Sequence, residues 1–155
     1  MPAPPRIQRL IDGRQMEPVE PDADTVAGFW TKALASSADS RKGLHPDNAV
    51  SLAYQAAFQA SSAVLECAGY RVRGAQGHHH NTYYALSGLG LPGLEGVDVE
   101  SERIRKLRTA AFYGADVASP AQVEAVHRWL DALLPAARQA IVTLRPDLAA
   151  RLPPP

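Results

Sequence analysis

Three consecutive histidines, His78, His79 and His80, are the side chains best suited to chemistry, because imidazole binds metals and moves protons near neutral pH. Adjacent side chains diverge on a helix or a strand, so the three cannot close on one metal ion without a special loop. No carboxylate or cysteine stands beside them at ligand spacing. A polar loop leading into a helix, with one imidazole capping or packing at its start, accounts for the triplet without metal. The second set is Arg103, Arg105, Lys106 and Arg108, crowded into two turns and diluted by Glu100 and Glu102. Arg105 and Arg108 share a helical face and can offer two guanidinium forks to phosphates, the alternative being a solvated charged face. Tyr113 follows Arg108 by five residues, with a phenol able to donate to a phosphate or to cover the edge of the fold. Tyr70, Arg71 and Arg73 can extend the positive patch.

These side chains need helices to position them. From His45 to Gly69 the apolar residues Val50, Ala53, Tyr54, Ala57, Phe58, Val64, Leu65 and Ala68 fall largely three and four apart, predicting a central helix about 35 Å long. Its many alanines and serines let neighbours approach closely. Asp22 or Asp24 caps an earlier helix through about Ala38, which carries Val26, Phe29, Trp30, Ala33 and Leu34 inward. The segment from Tyr70 to His80 reads as a polar loop, and Asn81 to Leu89 as a shorter helix. Glycines 88 to 96 break the chain next. Asp98 or Ser101 caps a helix that ends at Gly114 and holds the arginine cluster. Ser119, Pro120 and Gln122 open the last helix with a capping box; it runs to about Leu144 and is bent at Pro135. Ile7, Leu10 and Ile11 make a short N-terminal amphipathic turn stopped by Gly13, and no stretch alternates long enough for a strand.

The expected architecture is all-α, an up-and-down bundle of four main helices plus a short N-terminal helix. Residues 1–21 form an N-terminal segment whose first five are disordered, residues 22–145 the bundle, and residues 146–155 a disordered proline-rich tail. The length of 155 residues suits one domain that buries its core without disulfides or metal. With a net charge of zero, any nucleic-acid or membrane binding must rest on a local patch. The one cysteine, Cys67, falls in the central helix as an inert buried thiol, pointing to a reducing cytoplasm. The N-terminus lacks the apolar stretch of a signal peptide, and no apolar run reaches the roughly 18 residues of a membrane span. Phosphate-loop, dinucleotide and nucleophile-elbow motifs are missing from the sequence, and no cofactor is expected.

The segments AYQAAFQASSAVLECAGYRVRGAQGHHHNTYYAL and RIRKLRTAAFYG resemble the HEPN superfamily, the nucleotide-binding helical domains of higher eukaryotes and prokaryotes. The first is similar to the family's long helix, histidine-bearing loop and next helix. The second is similar to its later helix, where an arginine is followed four to six residues on by histidine. The resemblance spans roughly Asp22 to Ala140. It implies a metal-independent endoribonuclease of toxin or defence type, a homodimer in which the arginine and histidine of two protomers meet, and a partner such as a minimal nucleotidyltransferase. The arginine would be Arg108, but Tyr113 stands where the histidine is expected, and a phenol with a pKa near 10 is a poor proton shuttle at neutral pH. Either His78, His79 or His80 comes close in space and replaces the missing histidine, or cleavage is lost and binding retained; the candidate catalytic set is then Arg108, Tyr113 and His79, and the candidate RNA-binding residues are Arg105, Arg73, His78 and His80. The alternative is a catalytically inactive interaction module, an adaptor or antitoxin-like partner.

Overall fold

A computed structural model describes residues 2–74 and 76–155. Met1 and Ala75, within the expected disordered start and the expected loop, lie outside the described residues. In chain order the elements are α1 (Pro5–Asp12), β1 (Met16–Pro18), α2 (Ala23–Asp39), α3 (Pro46–Cys67), β2 (Tyr70–Val72), α4 (His78–Gly88), α5 (Val97–Tyr113) and α6 (Pro120–Leu144), followed by a 3-10 helix, Pro146–Arg151. The chain is therefore mostly helical.

α3 sits at the centre and packs against α2, α4, α5 and α6. Ala53, Ala56, Ala57, Ala60 and Ala63 are fully buried on it, and from Ser61 onward most of its circumference is covered. Small side chains on several faces let helices close in from different directions at interior packing density. Cys67 is buried at its end, where burial pushes the thiol pKa up. The local start signals act at two helices. Asp22 Oδ2 accepts from the Thr25 N–H at 2.8 Å, and Ser119 and Gln122 close a reciprocal capping box at the head of α6.

Two starts differ from expectation. α5 begins after Gly96, at φ 71°, with neither Asp98 nor Ser101 as its cap; Asp98 instead accepts from Arg6 of α1 at 2.8 Å. α4 begins at His78, after Gly77 at φ 84°, so the histidine triplet is the first turn of a helix and not the end of a loop. Glycine tolerates that left-handed turn without the Cβ penalty, and the Asn81 N–H closes the new helix onto the Gly77 carbonyl at 3.0 Å.

The expectation of no strands is also corrected. β1 and β2 pair antiparallel, with Met16 opposite Val72, Glu17 opposite Arg71 and Pro18 opposite Tyr70. Three residues are too few for alternation to be visible, and the ladder forms because α3 delivers Tyr70 beside the N-terminal segment. That segment is consequently docked, with Ile7, Leu10 and Met16 packing on Leu65 and Ala85 in a second, smaller core.

The tail expected to be disordered is not. Leu148 and Leu152 are buried, the Trp30 Nε1–H donates to the Pro153 carbonyl at 2.9 Å, and Arg138 Nε–H donates to the Leu152 carbonyl at 2.8 Å. The prolines there stiffen a segment held by partners far away in sequence. Among the described residues no helix is long and apolar enough to cross a membrane.

Candidate functional site

Where α4 and α5 pack together over α3, they leave an open groove of about 740 Å³. His78, His79 and His80 line it from the first turn of α4, and Glu102, Arg105 and Arg108 from α5. Behind that lining, on α3, Tyr54 and Phe58 stand one turn apart and stack against His79. Burial of the small residues around them fixes that face, and Gly77 sets the first turn of α4 directly over it.

His79 is the imidazole that packs. Its ring stacks on Phe58 with centroids 4.2 Å apart and planes 15° apart, lies nearly parallel to Tyr54 at 5.5 Å, and meets the His78 ring edge-on at 4.3 Å. Burial, with the neighbouring His78 and the Arg108 guanidinium adding to it, pushes its pKa down to about 4. His79 is therefore a neutral imidazole at pH 7, with an unprotonated nitrogen able to accept a proton. His80 is exposed and stacks on Tyr84 at 6.0 Å.

Arg108 is the uncompensated cation of the groove. Its Nε is buried and has no hydrogen-bond partner, and its guanidinium carbon stands 5.3 Å from the Tyr54 ring centre. Among the described residues no carboxylate pairs with it. Its neighbours differ: Arg105 is held by both oxygens of Glu102, at 2.9 and 2.7 Å, and Arg103 faces Glu100 at 3.6 Å. A buried donor left without an acceptor costs about 1–3 kcal/mol. Beneath it, burial pushes the Tyr54 phenol up to about 12 and the fully buried Tyr83 phenol well above its ordinary value, so both stay neutral under the guanidinium. Trp129 completes that aromatic layer, 6.5 Å from Tyr54 and 6.2 Å from Tyr83.

The groove thus brings together His78, His79, His80, Arg105 and Arg108. Tyr113 and Arg73 are not part of it. Tyr113 is 84% exposed and touches Phe112; five residues beyond Arg108, it is turned about 140° around the helix. Arg73 directly follows β2 and is paired with Glu17 at 3.2 Å. Tyr54 and Phe58 escaped the sequence reading as site residues because aromatic residues at helical spacing signal core first. Glu102 could have been found, since Glu three residues before Arg is an ion-pair spacing. Among the described residues no three His, Cys, Asp or Glu side chains converge as a metal ion requires.

Chemically, the arrangement offers an oxyanion the guanidinium of Arg108, which no carboxylate pairs, beside the neutral imidazole of His79 and the imidazoles of His78 and His80. Comparison of the chain with family models, with curated proteins and with solved structures gave no match.

Proposed function

We propose that this protein is a HEPN-like RNA-binding protein whose groove seats one phosphodiester of a single strand on Arg108 and cleaves it without metal. The observation that carries this reading is the unpaired, partly buried Arg108 guanidinium beside the neutral, stacked His79. Arg108 supplies a charged donor to the phosphate oxygens and stabilises the charge that grows on them in the transition state. His79 accepts the proton of the ribose 2′-hydroxyl as that oxygen attacks phosphorus. The 2′-oxygen to phosphorus bond forms, the bond to the 5′-oxygen breaks, and the leaving oxygen is protonated from water. The bound phosphate lies against His79 and raises its pKa from about 4, making it a better base than in the free protein. An up-and-down order of α2, α3, α5 and α6 and a homodimer with facing α5 helices belong to the same reading.

The test compares wild-type protein with Arg108→Ala, measuring single-stranded RNA binding by anisotropy and RNA decay in chelator. Loss of about tenfold or more in affinity, equal to about 1.4 kcal/mol, together with loss of decay, is the expected result. Equal decay in both proteins would remove Arg108 from the chemistry. Light scattering measures the dimer separately.

One observation favours the alternative of an inactive interaction module: Tyr113, in the position of the family's histidine, points away from the groove beside exposed Phe112 and Val117. That alternative requires the wild-type protein neither to bind nor to degrade RNA.

A further inference from the structure

Beside the groove lies a second, more enclosed cavity of about 270 Å³. Its walls are Phe29 of α2, Phe58 of α3 and Tyr70 of β2, with Glu66 and Arg71 at one side, and His78 separates it from the groove. The volume is below the roughly 300–1,000 Å³ typical of sites for drug-sized ligands, and suits one flat ring system. Three aromatic residues around a small space form the kind of surface on which an unstacked nucleobase rests.

The polar side of this cavity is unusual. The Glu66 carboxylate is only 2% exposed, yet its partner Arg71, which donates Nε–H at 3.1 Å and a terminal N–H at 2.8 Å, is half exposed. A carboxylate oxygen has more than one acceptor direction, so each Glu66 oxygen can take a second donor while holding Arg71. The pair therefore presents acceptors from Glu66 beside donors from Arg71. Among the bases only guanine carries two adjacent donors, N1–H and the N2 amino group, together with acceptors at O6 and N7. Adenine and cytosine each offer one amino group, and uracil one imino N–H.

We infer that this cavity is a guanine pocket, which takes the base adjoining the phosphate held on Arg108 and gives the protein a preference for guanosine in single-stranded RNA. The inference rests on the reading of the groove as a phosphate site. His78 stands at both spaces, so a phosphate in one and a base in the other belong to the same or neighbouring nucleotides.

The test measures anisotropy with four eight-nucleotide RNAs, all uridine except for one central G, A, C or U. The wild-type protein is expected to bind the guanosine strand at least about fivefold more tightly than each of the others, close to 1 kcal/mol of discrimination. Glu66→Gln should bring the guanosine-to-uridine affinity ratio to about one. Because Glu66 is buried and ion-paired, a second variant, Ser62→Met, fills the cavity from α3 while leaving both charges of that pair in place, and should abolish the preference equally. Affinities that are equal for the four strands but still depend on Arg108 overturn the guanine pocket alone. A preference for another base, or one that survives Ser62→Met, overturns it as well. Absence of binding to all four strands overturns both the pocket and the phosphate site.

Discussion

Arg105 and Arg108 lie three residues apart on one helix, and the position of a single carboxylate separates their roles. Glu102 neutralises Arg105 in a bidentate pair, so Arg105 reaches the groove with little net charge. Arg105→Ala should therefore weaken RNA binding far less than Arg108→Ala. Glu102→Gln should strengthen it by about two- to fivefold at low salt, by releasing Arg105 and removing a negative charge, and the gain should fade as salt rises. Unchanged affinity in Glu102→Gln would mean that Arg105 does not face the bound strand. His79 makes a separate prediction. Its folded-state pKa, about 4, lies below the ordinary 6.5, so the unfolded chain takes up a proton before the folded one does. Its contribution to stability is complete above about pH 6.5 and is lost as the pH falls from there toward 4. Thermal unfolding should show a steeper loss for wild type than for His79→Phe over pH 6.5 to 5, above the main carboxylate range, and an imidazole NMR titration should place the midpoint near 4. A midpoint near 6.5 would refute the stacked, desolvated placement of this ring.

Among the elements, α6 shows how a helix start can be settled locally while its neighbours' starts are not. Ser119 Oγ accepts from the Gln122 N–H at 3.2 Å, and Gln122 Oε1 accepts from the Ser119 N–H at 2.8 Å. Both partners lie within four residues, which is why the motif could be read from sequence. Ser119→Ala should cost about 1 kcal/mol, measured by urea unfolding, with the groove intact and RNA affinity unchanged. At α4 and α5 the start is set instead by Gly77 and Gly96 in left-handed conformation. A glycine in a polar stretch permits such a turn without announcing it, so the sequence placed the start of α4 three residues late and left the histidines in a loop. The consequence is functional, because a helical first turn, packed over Tyr54 and Phe58, is what immobilises His79. The strands escaped notice for a related reason: a three-residue ladder has no period of its own and exists only because two distant segments are brought together.

For the whole molecule, the C-terminal segment is a strap across the core. It covers Trp30 and buries Leu148 and Leu152, in contacts that span up to 127 residues of sequence. Deleting residues 146–155 should destabilise the fold by about 3–6 kcal/mol, from two buried leucines at about 1.5–3 kcal/mol each. Urea unfolding would show a lower midpoint; an unchanged midpoint would mean that the strap contributes nothing to the core. By itself the sequence determined the helical class, the central place of the alanine-rich α3, two of the caps, and the two clusters of residues worth watching. Those features depend on periodicity and on bonds made within a turn or two. Only the tertiary structure decided that the histidine triplet and Arg108 share one groove, that Arg105 and not Arg108 is paired with a carboxylate there, that His79 is neutral, and that Tyr113 and Arg73 lie elsewhere. Burial, stacking and ion pairing depend on which distant side chains are brought together, and no local spacing encodes that.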